Sequence, residues 1–285
     1  MNRLKIAVQK SGRLSEKSIA LLSECGIHFP NGNRRLVSIS GNFPVEILFL
    51  RDDDIPQYVA DMVADIGIVG ENVVLEKQKN LPVAERLGFA KCRLSLAIPK
   101  SAPYDGPGYF NGKKIATSYP RILQEYLKKH AIDAEIHEIS GSVEIAPGIG
   151  LAEAIFDIVS TGSTLISNGL KEVETVMQSE AIMVTSPDLE TGKKEILGDL
   201  IFRMKAVQRA KNNKYILLNA PNDNLEKIVN ILPGMKSPTI MPLASKGWSS
   251  LHSVVNENDF WDVIGKLKDL GAQGILVIPI EKMII

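Results

Sequence analysis

Glu144-Ile-Ala-Pro-Gly-Ile-Gly-Leu-Ala-Glu-Ala-Ile-Phe-Asp-Ile-Val-Ser-Thr-Gly-Ser-Thr-Leu165 reads as a short helix, an apolar strand and a hydroxyl-rich loop. The apolar run Ile155-Phe156 and Ile158-Val159 is broken once, by Asp157, and Ser160-Thr161-Gly162-Ser163-Thr164 follows at once. Gly162 lets the backbone come close to a ligand, and the hydroxyls and N–H groups converge. A helix-like segment follows, and together these features make a phosphate cradle. Ser/Thr-rich turns at strand ends are also common with no ligand at all. Asp157 favours the cradle, because Asp is disfavoured in strands and here leads straight into the loop. Glu144 and Glu153 lie close by in sequence, and carboxylates beside a phosphate need sugar hydroxyls or a cation to satisfy them.

Working outward, strands alternate with helices. Leu4–Val8, Val45–Leu50 and Ile66–Val69 read as strands. Ser15–Cys25 carries Ile19, Leu21 and Leu22 at helical spacing and ends at Gly26. Asp52, Asp53 and Asp54 read as caps for a helix starting near Ile55-Pro56. After Lys91 the pattern repeats, with strands Arg93–Ile98, Lys114–Thr117 and Glu135–Glu138 and a helix Pro120–His130. Val173–Gln178 and Ala181–Thr185 read as strands returning to the first half, and Thr191–Lys211 as a long helix with Ile196, Leu200, Met204 and Val207 on one face. Such alternation implies parallel sheets with both faces covered.

The composition breaks at Ala210-Lys-Asn-Asn-Lys214. Beyond it the order is strand Tyr215–Asn219, helix Asn224–Leu232, strands Thr239–Leu243 and Trp248–Val255, helix Asp259–Leu270 and strand Gly274–Ile280. Asp223 with Glu226 resembles a capping box, and Gly271 a C-cap. This βαββαβ order is ferredoxin-like. The reading is therefore an α/β chain with a two-lobed, periplasmic-binding-protein-like core and a C-terminal ferredoxin-like domain. Lobe I takes 1–90 with 173–212, lobe II 91–172, and the last domain 213–285.

The loop is similar to the phosphoribosyl-pyrophosphate loop of phosphoribosyltransferases, with Phe156 where the usual form has a first acid. With Glu144 and Ala-Pro upstream, the single-acid form resembles the ATP phosphoribosyltransferases, the first enzymes of histidine biosynthesis. Further matches are Gln9-Lys-Ser-Gly-Arg-Leu14, Arg51-Asp-Asp-Asp-Ile-Pro56, Asp65-Ile-Gly-Ile-Val-Gly-Glu-Asn72, Cys92-Arg-Leu-Ser-Leu96, Ile115-Ala-Thr-Ser-Tyr-Pro120 and Leu276-Val-Ile-Pro-Ile-Glu-Lys-Met283. The long C-terminal part resembles the self-regulated form of that family.

The resemblance implies transfer of phosphoribose from phosphoribosyl pyrophosphate to N1 of ATP. Ser160, Thr161, Gly162, Ser163 and Thr164 would hold the 5-phosphate. Asp157 and Glu144 would accept the ribose hydroxyls and face a cationic transition state. Lys10, Gly12 and Arg13 follow the first strand, where open α/β sheets place ligand loops. With Arg51 and Glu71 they would meet ATP or pyrophosphate. Arg93 and Thr117-Ser118-Tyr119 are weaker candidates, and Tyr119 also suits plain packing. Mg2+ would be carried mostly by pyrophosphate and water, with at most one or two carboxylates. Ser237–Ala244 resembles the family's histidine-binding segment. Thr239, Leu243 and Ala244, with Asn219, Ala272 and Gly274 at strand ends, would take histidine as a feedback inhibitor. A homo-oligomer, dimer building to hexamer, is the implied assembly.

Composition limits the alternatives. The chain has 285 residues, with 33 Lys plus Arg against 33 Asp plus Glu. That balance gives no bulk attraction to nucleic acid or membrane. The only cysteines, Cys25 and Cys92, have no metal-ligand spacing. No leader is legible and no apolar run approaches the roughly 20 residues of a membrane span, so a cytoplasmic protein is expected. The four histidines lie apart in sequence, and no general base stands out; N1 of adenine has its own lone pair. A two-lobed binding or sensing protein for a phosphorylated metabolite is the reading from another class, and a phosphoribosyltransferase for another base is a third.

Overall fold

The computed structural model describes residues 3–30 and 36–285. The chain divides into two compact units, residues 1–20 with 27–196 and residues 21–26 with 197–285. The first unit opens with β1 (Leu4–Gln9), α1 (Arg13–Glu24), β2 (Val37–Ile39), β3 (Val45–Leu50), α2 (Ile55–Ala60), β4 (Ile66–Gly70), α3 (Glu71–Glu76) and β5 (Val83–Arg86). It continues through β6 (Cys92–Pro99), β7 (Lys114–Thr117), α4 (Pro120–Lys129), β8 (Glu135–Glu138), β9 (Ala154–Val159), α5 (Ser163–Ser167), β10 (Leu170–Ser179) and β11 (Ala181–Thr185). The boundary between the units falls inside α6 (Thr191–Lys211).

The first unit holds two sheets, each the centre of one lobe. One has the order β2-β3-β1-β4-β11-β5 and the other β10-β6-β9-β7-β8. In each, three neighbouring strands are parallel: β3, β1 and β4 in the first, and β9, β7 and β8 in the second. The central strands read as near-continuous apolar runs because both faces are covered. Ala7, Ile55, Val59, Val69, Val73 and Val184 form one core. Leu94, Leu96, Phe110, Ile115, Leu123 and Phe156 form another. All connections between parallel strands therefore start from one edge of each sheet, the edge at the strands' C-terminal ends.

Four strands match the expected bounds: Val45–Leu50, Lys114–Thr117, Glu135–Glu138 and Ala181–Thr185. β10 does not. It was expected to return to the first half together with β11, but it pairs antiparallel with β6 throughout and closes the second sheet. The crossover back falls at Glu180, so residues 170–179 belong to the second lobe. β2 and β5 are edge strands with little apolar pattern, and the sequence reading has neither. The expected caps also differ. None of Asp52, Asp53 and Asp54 caps by its side chain; they form a 3-10 turn ahead of α2. Backbone bonds such as Asp54 N–H to the Arg51 carbonyl at 3.1 Å close that turn, which frees the carboxylates.

The second unit contains β12 (Asn213–Pro221), α7 (Leu225–Ile231), β13 (Thr239–Pro242), β14 (Trp248–Asn256), α8 (Phe260–Asp269) and β15 (Gln273–Pro279). Its sheet order is β13-β14-β12-β15, with every pairing antiparallel, which is the ferredoxin-like arrangement. Both helices pack on one face, around Ile216, Leu218, Ile228, Leu251 and Leu267. The capping box expected at Asp223 is absent: Asn224 stands at the N-cap without a side-chain cap bond, and its amide donates instead to the Leu270 carbonyl at 3.0 Å. Arg203 and Lys211 on α6 reach the end of α1, at the Cys25 carbonyl and Glu24.

Candidate active site

The loop after β9 has the predicted form. Gly162 sits at φ +79°, where a side chain is strained, and a single helical turn, α5, begins at Ser163. The Thr161 and Ser163 hydroxyls lie 3.0 Å apart, and the Ser163 N–H faces the Thr161 oxygen at 3.4 Å. The loop is exposed at Ser160 and Thr161. Its first carbonyl is anchored by Arg93, whose Nη1 donates to Ser160 at 3.2 Å. Arg93 itself is held by Glu172 through two bonds of 2.5 Å. Ser95 and Thr175 donate to the same carboxylate. The Arg93 guanidinium, with those hydroxyls, holds Glu172 down at about 2. Arg93 thus braces the loop and is already paired.

Asp157 is half-buried on β9, opposite Ser95. Burial pushes its carboxyl up to about 6, against the pull of its hydrogen bond from the Ile158 N–H; the nearby Glu144 charge pushes the same way. Glu144 stands in a 3-10 turn, near enough for its charge to act on Asp157. Glu153 is used elsewhere: its carboxylate accepts the Lys114 N–H at 2.8 Å.

The first lobe brings its candidates to the C-terminal ends of β1, β3 and β4. Lys10 and Arg13 are exposed on either side of Gly12, which takes φ +95°, and Arg51 is exposed after β3. None of these three cations has a side-chain partner among the described residues. Glu71 is different. Arg86 grips it with bonds of 2.9 and 2.5 Å and reaches Glu180 at 3.4 Å. This group lines a separate depression of about 180 Å³ with Lys91, Gln178 and Ser179. Glu71, expected to meet ATP or pyrophosphate, is paired here with Arg86 at the strand crossover.

A cavity of about 570 Å³ opens between the lobes. Asp53, Gln57, Val73, Glu76, Lys77 and Lys79 line it from the first lobe; Ser118, Tyr119, Arg121, Glu138, Ile139 and Ser140 line it from the second. Asp52 lies in the same region. One oxygen of its carboxylate is buried with no hydrogen-bond partner. Burial raises its carboxyl to about 6, and Asp53 adds to this while Lys77 opposes it. The Tyr119 phenol is raised by burial and then by Asp157, Asp52 and Asp53, which places all three carboxylates within electrostatic reach of one hydroxyl. Asp52, Asp53, Lys77, Lys79, Glu138 and Ser140 are absent from the sequence-based site. Asp52, Asp53, Glu138 and Ser140 carried one signal, their place just at or after the end of a parallel strand. A run of three acids before a helix looks like capping until the buried oxygen is seen.

In the second unit, Gly274 and Asn219 are neighbours, since a Cβ on Gly274 would lie 3.2 Å from the Asn219 amide, and Ala272 is buried beside them. Leu243 pairs with Trp248, and Ala244 follows it into the hairpin. Thr239 is exposed on β13 opposite His252. β13 and β15 lie at opposite edges with β14 and β12 between them. The expected six residues therefore do not converge within one chain.

The family model described as "ATP phosphoribosyltransferase" matches residues 51–206, and that of the "HisG, C-terminal domain" matches residues 210–282. An ATP phosphoribosyltransferase of Bacteroides thetaiotaomicron is 61% identical over 282 residues, covering 99% of this chain and 100% of the relative. The solved ATP phosphoribosyl transferase (HisG:HisZ) complex from Thermotoga maritima aligns with a TM-score of 0.62 at 30% identity, covering 71% of this chain and 98% of that one. The B. pertussis BvgS periplasmic domain aligns with a TM-score of 0.50 at 13% identity over 72% of this chain and 40% of its own, a likeness of fold alone. With both family models in register, relatives matched end to end, and the loop, acids and cleft in place, this chain belongs to the ATP phosphoribosyltransferase family, the enzymes of the first step of histidine biosynthesis.

Proposed function

We propose that the cleft of the first unit transfers phosphoribose from phosphoribosyl pyrophosphate to N1 of ATP, releasing pyrophosphate and phosphoribosyl-ATP. The observation that carries this reading is Asp157, a half-buried carboxylate leading into the Ser160–Thr164 loop with Glu144 beside it. The loop would hold the 5-phosphate. Asp157 and Glu144 would take the ribose hydroxyls, and their charge suits a cation developing at the anomeric carbon. Lys10, Arg13 and Arg51 would meet polyphosphate oxygens, the arginines by their planar forks.

Mg2+ fits this site as a substrate-borne ion. Asp53, which lines the cleft, would offer one carboxylate toward such an ion or its water. Bound with pyrophosphate, the ion would offset charge on the leaving group. Incubation with ATP, phosphoribosyl pyrophosphate and Mg2+ should generate phosphoribosyl-ATP, followed by absorbance. Omission of Mg2+ should stop it, and a nucleobase panel should give no product. Turnover of another base and not ATP would overturn the assignment.

The second unit supports a reading as a histidine sensor that works between copies of the chain. The edge strands β13 and β15 expose Ile240, Met241, Leu276, Val277 and Ile278, which suits association of edges. A second copy would bring Thr239, Leu243 and Ala244 toward Asn219, Ala272 and Gly274, and a dimer building to a hexamer is the assembly proposed. Calorimetry with free histidine should show binding, and millimolar histidine should inhibit. No heat with full activity would remove the regulatory reading. No helix among the described residues is long and apolar enough to cross a membrane.

A further inference from the structure

We infer that Glu76 is a positioning residue that latches the two lobes of the first unit at the angle the cleft needs. Helix α4 starts at Pro120 and has Tyr119 at its N-cap with no side-chain cap bond. The first turn of a helix leaves backbone N–H groups without partners. Here those of Arg121 and Ile122 donate to the two oxygens of Glu76, at 3.0 and 3.1 Å. Glu76 ends α3, in the other lobe, and is 8% exposed. A carboxylate that buried must be satisfied, and negative charge is favoured at a helix N-terminus. The cap of a second-lobe helix is thus supplied by the first lobe.

Two more contacts run beside it. Arg121 Nη1 donates to Gln78 Oε1 at 2.6 Å, and the Asn72 amide donates to the Tyr119 hydroxyl at 3.3 Å. Asn72 is fixed in turn by Ser179, whose hydroxyl accepts the Asn72 N–H at 3.1 Å and donates to the Asn72 side-chain oxygen at 2.9 Å. All three contacts join α3 or the residues just after it to the first turn of α4. They form one wall of the cavity, with Glu76, Tyr119 and Arg121 among its lining residues. Lobes joined only by crossover strands rock freely about them. Lobes also joined by a buried cap have a preferred angle. Weakening the cap lowers the fraction of molecules at that angle, and every ligand that needs both lobes then binds more weakly by the same factor.

The test is Glu76→Gln, which offers one oxygen and one NH2 group to two N–H donors. The Michaelis constants for ATP and phosphoribosyl pyrophosphate should rise together, by about three- to tenfold, while kcat at saturation stays within about twofold. Amide exchange at Arg121 and Ile122 should speed up in the free enzyme and slow again with both substrates bound. Gln78→Ala, an exposed change, should move the same quantities the same way by less, and it decides the matter if Glu76→Gln does not fold. A rise for one substrate alone would make Glu76 a contact to that substrate and overturn the latch. So would a lower melting temperature with both Michaelis constants unchanged, or unchanged exchange at α4. The kinetic arm rests on the transfer reaction proposed above. The exchange arm does not, so failure of the latch and failure of that reaction are distinguishable.

Discussion

The two lobes of the first unit share a plan, with three parallel strands ending at the cleft and antiparallel strands beside them, but they differ in which of their cations are left unpaired. The first lobe ends its strands in exposed cations, Lys10, Arg13 and Arg51, which have no side-chain partners among the described residues. The second ends its strands in hydroxyls and acids, and its arginine at the loop, Arg93, is already neutralised by Glu172. The same residue type therefore does different work in each lobe. An arginine whose donors are free can take up phosphate charge; one held in two parallel bonds to a carboxylate can only orient what it touches. The contrast fits a division in which the second lobe holds the sugar phosphate and the first meets the polyphosphates.

The sharpest way to break this contrast is Asp157→Asn. Removing the charge should lower kcat by about a hundredfold if the carboxylate faces the developing cation, while the fold is kept. Its carboxyl, raised by burial to about 6, also sets the pH behaviour. The folded state holds this proton more tightly than the unfolded state. The contribution to stability is therefore full at low pH and is lost as pH rises through about 6. The Asn variant should melt no lower than the parent at pH 8, and activity of the parent should fall below about pH 6. A pH-independent rate with an unchanged kcat in the variant would take Asp157 out of the reaction.

Thr161→Val removes one hydroxyl at nearly constant shape. It should cost about tenfold in kcat/KM for phosphoribosyl pyrophosphate, as expected for one bond to a charged oxygen, and little for ATP. Equal losses for both substrates would blur the assignment of the loop to the sugar phosphate.

Glu172→Gln tests whether Arg93 braces and does not bind. Freed from its partner, Arg93 should let the Ser160 end of the loop move, with a loss of about fivefold in kcat/KM and a melting temperature lower by about 3 °C. Glu172 is held far below its ordinary value, so its contribution is present near neutrality and is lost as pH falls from about 5 toward 2. The gap in melting temperature should narrow on acidification. A gain in phosphate affinity would instead show that Arg93 is a binding group held in reserve.

Arg13→Lys should have the smallest effect, a rise of about threefold in KM for the polyphosphate substrates, because charge is kept and only the planar fork is lost. The melting temperature should hardly move, since the side chain is exposed. The reverse pattern would make Arg13 structural and weaken the picture of a first lobe with cations to spare.

The sequence by itself determined the features that live in local pattern. Periodicity set the four strands whose bounds agree and the βαββαβ order of the second unit. The apolar run broken by Asp157 and ended by Ser160–Thr164 marked the loop and its acid, because an Asp in a strand and a Gly between hydroxyls are local anomalies. Tertiary structure decided whatever depends on partners far along the chain. It gave β10 to the second sheet, since an alternating strand does not say which neighbour it pairs with. It paired Glu71 with Arg86, fifteen positions on. It turned Asp52 from a helix cap into a half-buried carboxylate with one buried, unpartnered oxygen, and it made Glu76 the cap of a helix 45 positions away. It also set Thr239 and Asn219 two strands apart, because an antiparallel order separates strands that the sequence lists close together. A carboxylate's chemistry depends on what surrounds it in space, and residue type alone does not specify those surroundings.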